Sequence, residues 1–272
     1  MQSAKITIIG GGNLGSSIAS GLTEAGKNAS EITISRRQIE KLAPLQKKGI
    51  HVISDNIKAI EKADIIILCV LPQKVNEVLD EISNSIQPQQ LIISTVSGIS
   101  IDDIQSRIKA KVEIIRAMPN TAIAIRESMT CIAGKNKNSP SINIAKSIFD
   151  DLGKVTVINE DQMTSATALC ACGIAFFLRA IRAASQGGIE IDFHSDEALL
   201  MAAQTAKGAA ALLIHNESHP EDEIDKVTSP KGCTIAGLNQ MEHAGFSSAF
   251  IKGIVTSAQK AGGLYTKNEI EK

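Results

Sequence analysis

Ile6-Thr7-Ile8-Ile9-Gly10-Gly11-Gly12-Asn13-Leu14-Gly15 is the stretch that decides how the first half of this chain folds. Strand-forming residues run into three consecutive glycines, and an apolar-periodic, helix-like stretch from Leu14 to Gly26 follows. Gly10, Gly12 and Gly15 satisfy G-x-G-x-x-G. The pattern alone is weak. Here it closes a strand and opens a helix, with the next strand beginning near Ile32, which is the setting that dinucleotide binding requires. Gly10 serves the tight turn, Gly12 lets backbone approach a pyrophosphate, and Gly15 lets helix pack on strand. The helix N-terminus, at Asn13 and Leu14, turns its N–H groups toward the phosphates.

Working outward, strand and helix signals alternate. Strands are expected at Ile6–Ile9, Ile32–Ser35, His51–Ile53, Ile65–Leu71, Leu91–Val96, Glu113–Arg116 and Met129–Ala133, with helices between the early ones. Most are continuous apolar runs, the pattern of strands covered on both faces. This predicts an α/β fold whose N-terminal half is a Rossmann-type parallel sheet with right-handed crossovers. Near Val155–Asn159 the pattern changes, and almost everything beyond is helical. One long helix is expected from Asp161 to about Gly187, and a second from Ser195, capping ahead of Asp196 and Glu197, to about Asn216. Both are rich in Ala and Gly on several faces, more than one chain readily covers, so an intertwined dimer is expected. The division is therefore residues 1–159, binding the dinucleotide, and residues 160–272, an all-α dimerisation and substrate domain.

The second strand ends in Ser35-Arg36-Arg37. A site preferring NAD places an acid there for the ribose hydroxyls. Guanidinium groups instead pair bidentately with a 2′-phosphate, so NADP(H) is expected over NAD(H). Ligands gather where strands of such sheets end. Further cofactor contacts are accordingly expected at Asn56, at Val70-Leu71-Pro72, at Ser97 and at Met118 and Asn120.

Composition excludes other classes. The 272 residues carry a net charge of −1, which gives no field to draw in nucleic acid or an anionic membrane. With six Phe, one Tyr and no Trp, stacking platforms for bases are not expected either. No leader and no membrane span is expected; Ala198–Ile214 is interrupted by Gln204, Thr205 and Lys207. Five scattered cysteines and five histidines without ligand spacing predict no disulfide framework and no metal site. The thiols read as packing residues, with Cys233 the redox-sensitive one, and the location as cytoplasmic.

Thr228-Ser229-Pro230-Lys231-Gly232-Cys233-Thr234-Ile235-Ala236-Gly237-Leu238 is the most informative stretch of the rear half. It reads as a helix start with Ser229 as cap and Pro230 in the first turn. The N–H groups of Lys231, Gly232 and Cys233 would then be open to a small carboxylate, with Thr234 presenting its hydroxyl to the same ligand. An ordinary capped helix fits this stretch equally well.

At this point the sequence resembles pyrroline-5-carboxylate reductase. The resemblance runs along nearly the whole chain: the glycine-rich start, Ser54-Asp55-Asn56, Arg116-Ala117-Met118-Pro119-Asn120-Thr121, and the block from His219-Pro220 through Gly245 with its Ser-Pro-x-Gly-x-Thr-Ile-x-x-Leu core. It implies reduction of 1-pyrroline-5-carboxylate to L-proline with NAD(P)H, the last step of proline biosynthesis. It also implies an interlocked homodimer, often assembled into a decamer, with the substrate site shared between two subunits. Carried onto matching positions, it puts the substrate carboxylate on Ser229 and the backbone of Lys231, Gly232 and Cys233. Thr234 lies beside the ring nitrogen and Glu160 near the ring; the chemistry then makes Thr234 the catalytic donor or orienting group and Glu160 a stabiliser of the cationic iminium. Two departures stand out: Lys231-Gly232 where the family has Gly-Gly, and Ala171-Cys172-Gly173-Ile174-Ala175-Phe176 where it has a Gly-Ser-Gly-Pro-Ala-Tyr-like run.

Hydride transfer to a cyclic imine needs positioning, an anion hole and one proton source, but no metal and no covalent nucleophile. Two other readings share the fold. A β-hydroxyacid dehydrogenase needs a catalytic lysine on the long helix, and none occurs between Asp161 and Gly187. A non-catalytic NADPH sensor would keep the fold without the activity, and the two departures at Lys231-Gly232 and Ala171–Phe176 are what motivate it.

Overall fold

The computed structural model describes residues 4–265. Eight strands form one sheet: β1 (Ile6–Ile9), β2 (Ile32–Ser35), β3 (His51–Ile53), β4 (Ile65–Leu68), β5 (Leu91–Ser94), β6 (Glu113–Met118), β7 (Ser128–Gly134) and β8 (Gly153–Val157). Their order is β3-β2-β1-β4-β5-β6-β7-β8. The order reverses at β1, so the glycine-rich turn leaves the sheet at its topological switch point.

The apolar runs explain themselves through the two-residue period. Ile6 and Ile8, Ile65 and Ile67, and Leu91 and Ile93 point to one face, where they bury Ile18, Leu22, Ile142 and Phe149 of helices Asn13–Glu24 and Pro140–Asp150. Ile9, Ile66, Leu68 and Ile92 point to the other, against Val75, Leu79 and Ile104 of helices Pro72–Ile82 and Ile101–Arg107. Each fully buried side chain of this kind contributes roughly 1.5–3 kcal/mol.

The sheet is not wholly parallel, as the sequence had suggested. β1 to β6 run parallel, β7 pairs antiparallel with β6, and β8 pairs parallel with β7. The link from Met118 to Ser128 holds only a 3-10 turn, Thr121–Ile125, too little chain for a crossover, so the strand must return beside its neighbour. β8 lies where the sequence merely loses its strand–helix rhythm. It alternates half-buried with exposed residues, as an edge strand does.

The described chain divides into two compact units. One contains the sheet, runs to Cys172 and takes the chain back from Ser257; the other is Gly173–Thr256. The seam thus differs from the expected boundary at 159/160. Met163 and Ala166 are buried with Met118, Cys131 and Ala133, which keeps residues 160–172 with the sheet. At the returning end, the Tyr265 hydroxyl donates to Asn76 Oδ1 at 3.1 Å. A Cβ added to Gly98 would stand 3.0 Å from Tyr265.

In the second unit, helices Gly173–Glu190 and Ser195–Asn216 form a hairpin. Gly188 makes the close approach: a Cβ there would meet that of Ala198 at 3.0 Å. The second helix is capped one residue earlier than expected, at His194, whose N–H donates to Glu197. Helices Pro220–Lys226, Cys233–His243 and Phe246–Ala261 follow, and Phe176 and Phe177 pack on Phe250 with ring centroids 6.1 and 5.4 Å apart. Phe177, Leu178, Leu200, Ile214 and Ile251 remain largely exposed on the single chain. Contrary to the expectation that no segment reaches span length, two helical runs, 160–190 and 195–216, are long and apolar enough to cross a membrane by length and composition.

Candidate active site

Gly10 N–H and Gly11 N–H both donate to Ser35 O, at 3.1 and 2.8 Å, so the glycine turn is hung on the end of β2. Gly10 has φ +108°, and a Cβ there would lie 2.4 Å from the Cys69 carbonyl oxygen. A Cβ on Gly15 would lie 2.2 Å from Gly10 O. Only glycine fits either place. Gly12 differs: a Cβ there would meet nothing within 4 Å. Gly12 is also the N-cap of helix Asn13–Glu24, which has no side-chain cap. The first-turn N–H groups, including those of Asn13 and Leu14, have no partner inside a helix. An open flank, absent cap and aligned N–H dipoles are what a pyrophosphate needs.

A cavity of about 310 Å³ opens beside this turn, lined by Gly10–Gly12, Ser35, Arg36, Arg37, Ser54, Asn56, Val70, Leu71 and Lys74. Arg36 Nη1 donates to Gly11 O at 2.6 Å, folding its guanidinium onto the glycine loop. Arg37 pairs with Glu77, and Lys74 Nζ lies 2.9 Å from the same carboxylate. Lys74's hydrogen bond, then that of Arg37, holds the Glu77 carboxyl below the usual carboxylate range. Lys74 is a third cation at this rim that sequence reasoning missed; its position in the first turn after Pro72 was the available signal. The Ser35 hydroxyl is buried and donates to Asn56 Oδ1 at 2.7 Å, while Asn56 Nδ2 donates to Glu81. A cavity of about 610 Å³ at the opposite ends of the strands, beside Ala4, Asp64 and Asp151, lies away from the edge where open sheets bind ligands.

Of the remaining predicted contacts, Ser97, Met118 and Asn120 lie at or just beyond the ends of β5 and β6 and Pro72 follows β4, all outside the lining of the cavity of about 310 Å³. Ser97 Oγ lies 3.9 Å from Met118 Sδ, and Met118 is itself buried. The Asn120 side chain is spent on structure: Oδ1 accepts from Ala122 N–H at 3.0 Å, and Nδ2 donates to Cys170 O at 3.3 Å. Pro72 takes the first turn of helix Pro72–Ile82, with Leu71 as its exposed cap.

Glu160 is committed within the sheet unit. Its Oε1 accepts the Ile101 N–H at 2.7 Å and lies 3.5 Å from Arg116 Nη1. Burial pushes the Arg116 guanidinium down from its ordinary value, and the charge of Glu160 opposes this. The Arg116 side chain is 8% exposed and that of Glu160 29%. Removing one partner of a buried pair strands the other's charge. Glu160→Gln keeps an acceptor for Ile101 but loses the charge. With partial solvent access allowed for, it is expected to cost about 2 kcal/mol and to lower the thermal midpoint by about 4–8 °C in calorimetry. An unchanged midpoint would show that solvent already neutralises Arg116.

The Ser229–Thr234 stretch, in the helical unit, folds differently from the expected helix start. Helix Cys233–His243 begins four residues later than Ser229, with Gly232 as N-cap. Gly232 N–H donates to Ser229 O at 2.9 Å, and Lys231 has φ +61°. Pro230 followed by a positive-φ residue is the arrangement of a type II turn, which stops the helical run before it starts. The N–H of Gly232 is therefore not open. Those in the first turn from Cys233 are, since the helix has no side-chain cap. Lys231 occupies a left-handed position that glycine fills without strain. A Cβ on Gly232 would come within 2.5 Å of Ser229 Oγ, so the serine hydroxyl lies over the turn at this glycine. Among the described residues, no group of three His, Cys, Asp or Glu is placed to hold a metal ion.

Residues 160–264 match the family model for pyrroline-5-carboxylate reductase dimerisation, and residues 5–98 match one described as NADP oxidoreductase, coenzyme F420-dependent. Over 94% of its length the chain is 47% identical to pyrroline-5-carboxylate reductase 2 of Dictyostelium discoideum, 91% of which it covers. The chain belongs to the pyrroline-5-carboxylate reductase family. It is also 52% identical, over 98% of its length, to pyrroline-5-carboxylate reductase 1 of the same organism, though it spans about half (51%) of that relative. The solved pyrroline-5-carboxylate reductase of Coxiella burnetii, 28% identical, superposes with a TM-score of 0.90, covering 98% of this chain and 100% of that one. The family's dimerisation model falls on the Ala-rich helices whose apolar faces are uncovered in the single chain.

Proposed function

We propose that this chain is an NAD(P)H-dependent oxidoreductase that reduces 1-pyrroline-5-carboxylate to L-proline, with NADP(H) preferred over NAD(H). The observation that carries this is the near full-length match to pyrroline-5-carboxylate reductases, with Ser229-Pro230 through Leu238 kept in the region that matches their dimerisation model. The cradle fits an anionic dinucleotide: Gly12 leaves room, the helix start is uncapped, and Arg36, Arg37 and Lys74 rim the cavity. When bound there, the cofactor supplies the hydride.

The chain's own residues do the rest. The open N–H groups at the start of helix Cys233–His243, with the Ser229 hydroxyl, hold the substrate carboxylate. Thr234, in that first turn, presents its hydroxyl to the ring nitrogen, which must be protonated before or during hydride transfer because a neutral imine is a poor hydride acceptor. Lys231 adds a positive charge next to this anion site. Glu160 acts through Arg116 and the Ile101 N–H, as a positioning group, since its charge is already used. Assembly is a homodimer through the helical unit, built further into a decamer as in the resemblance, in a cytoplasmic setting. Mixing the chain with pyrroline-5-carboxylate and NADPH and following nicotinamide absorbance tests the reading; absence of turnover together with tight NADPH binding would instead favour a sensor.

Cofactor preference has its own test. Arg36→Ala with Arg37→Ala is expected to raise the KM for NADPH by about 10–100-fold, as loss of one or two charge-assisted bonds would, and to leave that for NADH within about threefold. Parallel rises for both cofactors would place the arginines at the pyrophosphate or in the loop's structure.

A further inference from the structure

We infer that Cys131 and Cys170 form a dithiol that a hydroperoxide closes into a disulfide, making this pair an oxidative modification site. The two sulfurs lie 3.8 Å apart. Cys131 sits in β7, buried, in register with Met118 of β6. Cys170 sits in the π-helical turn Thr167–Cys172 and is only partly buried. Closure needs the sulfurs to approach to about 2.05 Å. A π-helical turn is a place where the helical ladder is already interrupted, so the necessary shift falls on backbone able to take it. Among the described residues, the only side-chain bond to that turn's Cys170 carbonyl comes from Asn120, at 3.3 Å.

The two thiols are electronically unequal. The hydrogen bond from Cys131 lowers Cys170 to about 7, while Cys131 is pushed up by the same contact and by burial. Cys170 is therefore the more readily ionised, and the more nucleophilic, of the two thiols. Cys69, by contrast, is pushed up to about 12 by burial and is not a competitor. The exposed Cys233 has no neighbouring sulfur among the described residues, so the sequence-based choice of Cys233 as the redox thiol gives way to the pair.

The chemistry balances in two steps. The Cys170 thiolate attacks the distal oxygen of the hydroperoxide; the O–O bond breaks, the sulfur becomes a sulfenic acid, and alkoxide or hydroxide leaves and takes a proton. Cys131 then gives up its proton and attacks the Cys170 sulfur, forming S–S and expelling water. In sum, two thiols are oxidised and one hydroperoxide is reduced to an alcohol, or to water, with one further water released.

The test uses the full chain and hydrogen peroxide. One equivalent is added, remaining thiols are alkylated, and peptides are mapped. The expected result is a cross-link between the Cys131 and Cys170 peptides, two fewer alkylatable thiols per chain, full reversal by dithiothreitol, and a thermal midpoint raised by roughly 5–10 °C. Cys172→Ser should leave the cross-link intact. Cys131→Ser should abolish it and leave Cys170 as a sulfenic acid that dimedone traps. Cys170 alkylation should set in at a lower pH than that of an ordinary cysteine, and move to higher pH in Cys131→Ala, which removes the donor. Separate alkylation of both peptides after peroxide, or the same loss of thiols in Cys170→Ser as in the unchanged chain, would overturn the proposal.

Discussion

Replacing Thr234 with alanine is expected to lower kcat by roughly 10²–10⁴, the range that a positioned proton donor supplies. The imine nitrogen accepts a proton as hydride reaches the adjoining carbon, so the missing hydroxyl is felt in the transition state more than in the bound substrate. The loss should therefore appear in kcat and kcat/KM together, with KM for pyrroline-5-carboxylate little changed. Thr234→Ser, which keeps the hydroxyl, should recover most of the rate, and Thr234→Val, which keeps the shape, should not. Helix Cys233–His243 starts at its Gly232 cap, one residue from Cys233 and two from Thr234, so these substitutions leave the Pro230–Lys231 turn and the open N–H groups in place. A kcat within about threefold of the unchanged chain would reduce Thr234 to a binding contact and pass the proton to water.

The second large effect separates two glycines that a motif treats alike. Gly12→Ala is expected to leave stability within about 1 kcal/mol, because its Cβ meets nothing within 4 Å. The same methyl would occupy the approach of a pyrophosphate to the helix N-terminus, so the Kd for NADPH should rise by about 10–100-fold. Gly10→Ala works the other way. Its φ of +108° and the Cys69 oxygen 2.4 Å from the added carbon set the cost on the fold itself, about 3 kcal/mol or more. Urea denaturation and NADPH fluorescence titration, run on both variants, give the two patterns. Unimpaired NADPH binding by Gly12→Ala would remove the pyrophosphate from this turn.

Much of this architecture was legible in advance. The first three strands fall on the expected residues because each is a short run rich in β-branched residues ended by a polar or glycine-rich turn, a signal local to the run. Strand direction is not local: nothing in Ser128–Gly134 itself says that it runs against β6, and only the shortness of the preceding link does. The rear motif was read as a capped helix because Ser-Pro is a common helix opening. The left-handed Lys231 that defeats this is a backbone state that its residue type does not announce. Pairings at long separation were equally silent. Arg116 with Glu160, Arg37 with Glu77, and Cys131 with Cys170 each join residues far apart in the chain, and composition gives no hint of them.

Because the sheet unit reclaims the chain at Ser257, the helical unit is an insert with two seams rather than a tail. A protease nick at either seam leaves both bodies tethered through the other. A nucleotide-binding half produced alone would have to splice Cys172 to Ser257 and keep the terminal segment; cut simply after Cys172, it would strip Tyr265 from Gly98 and Asn76 and lay that flank bare.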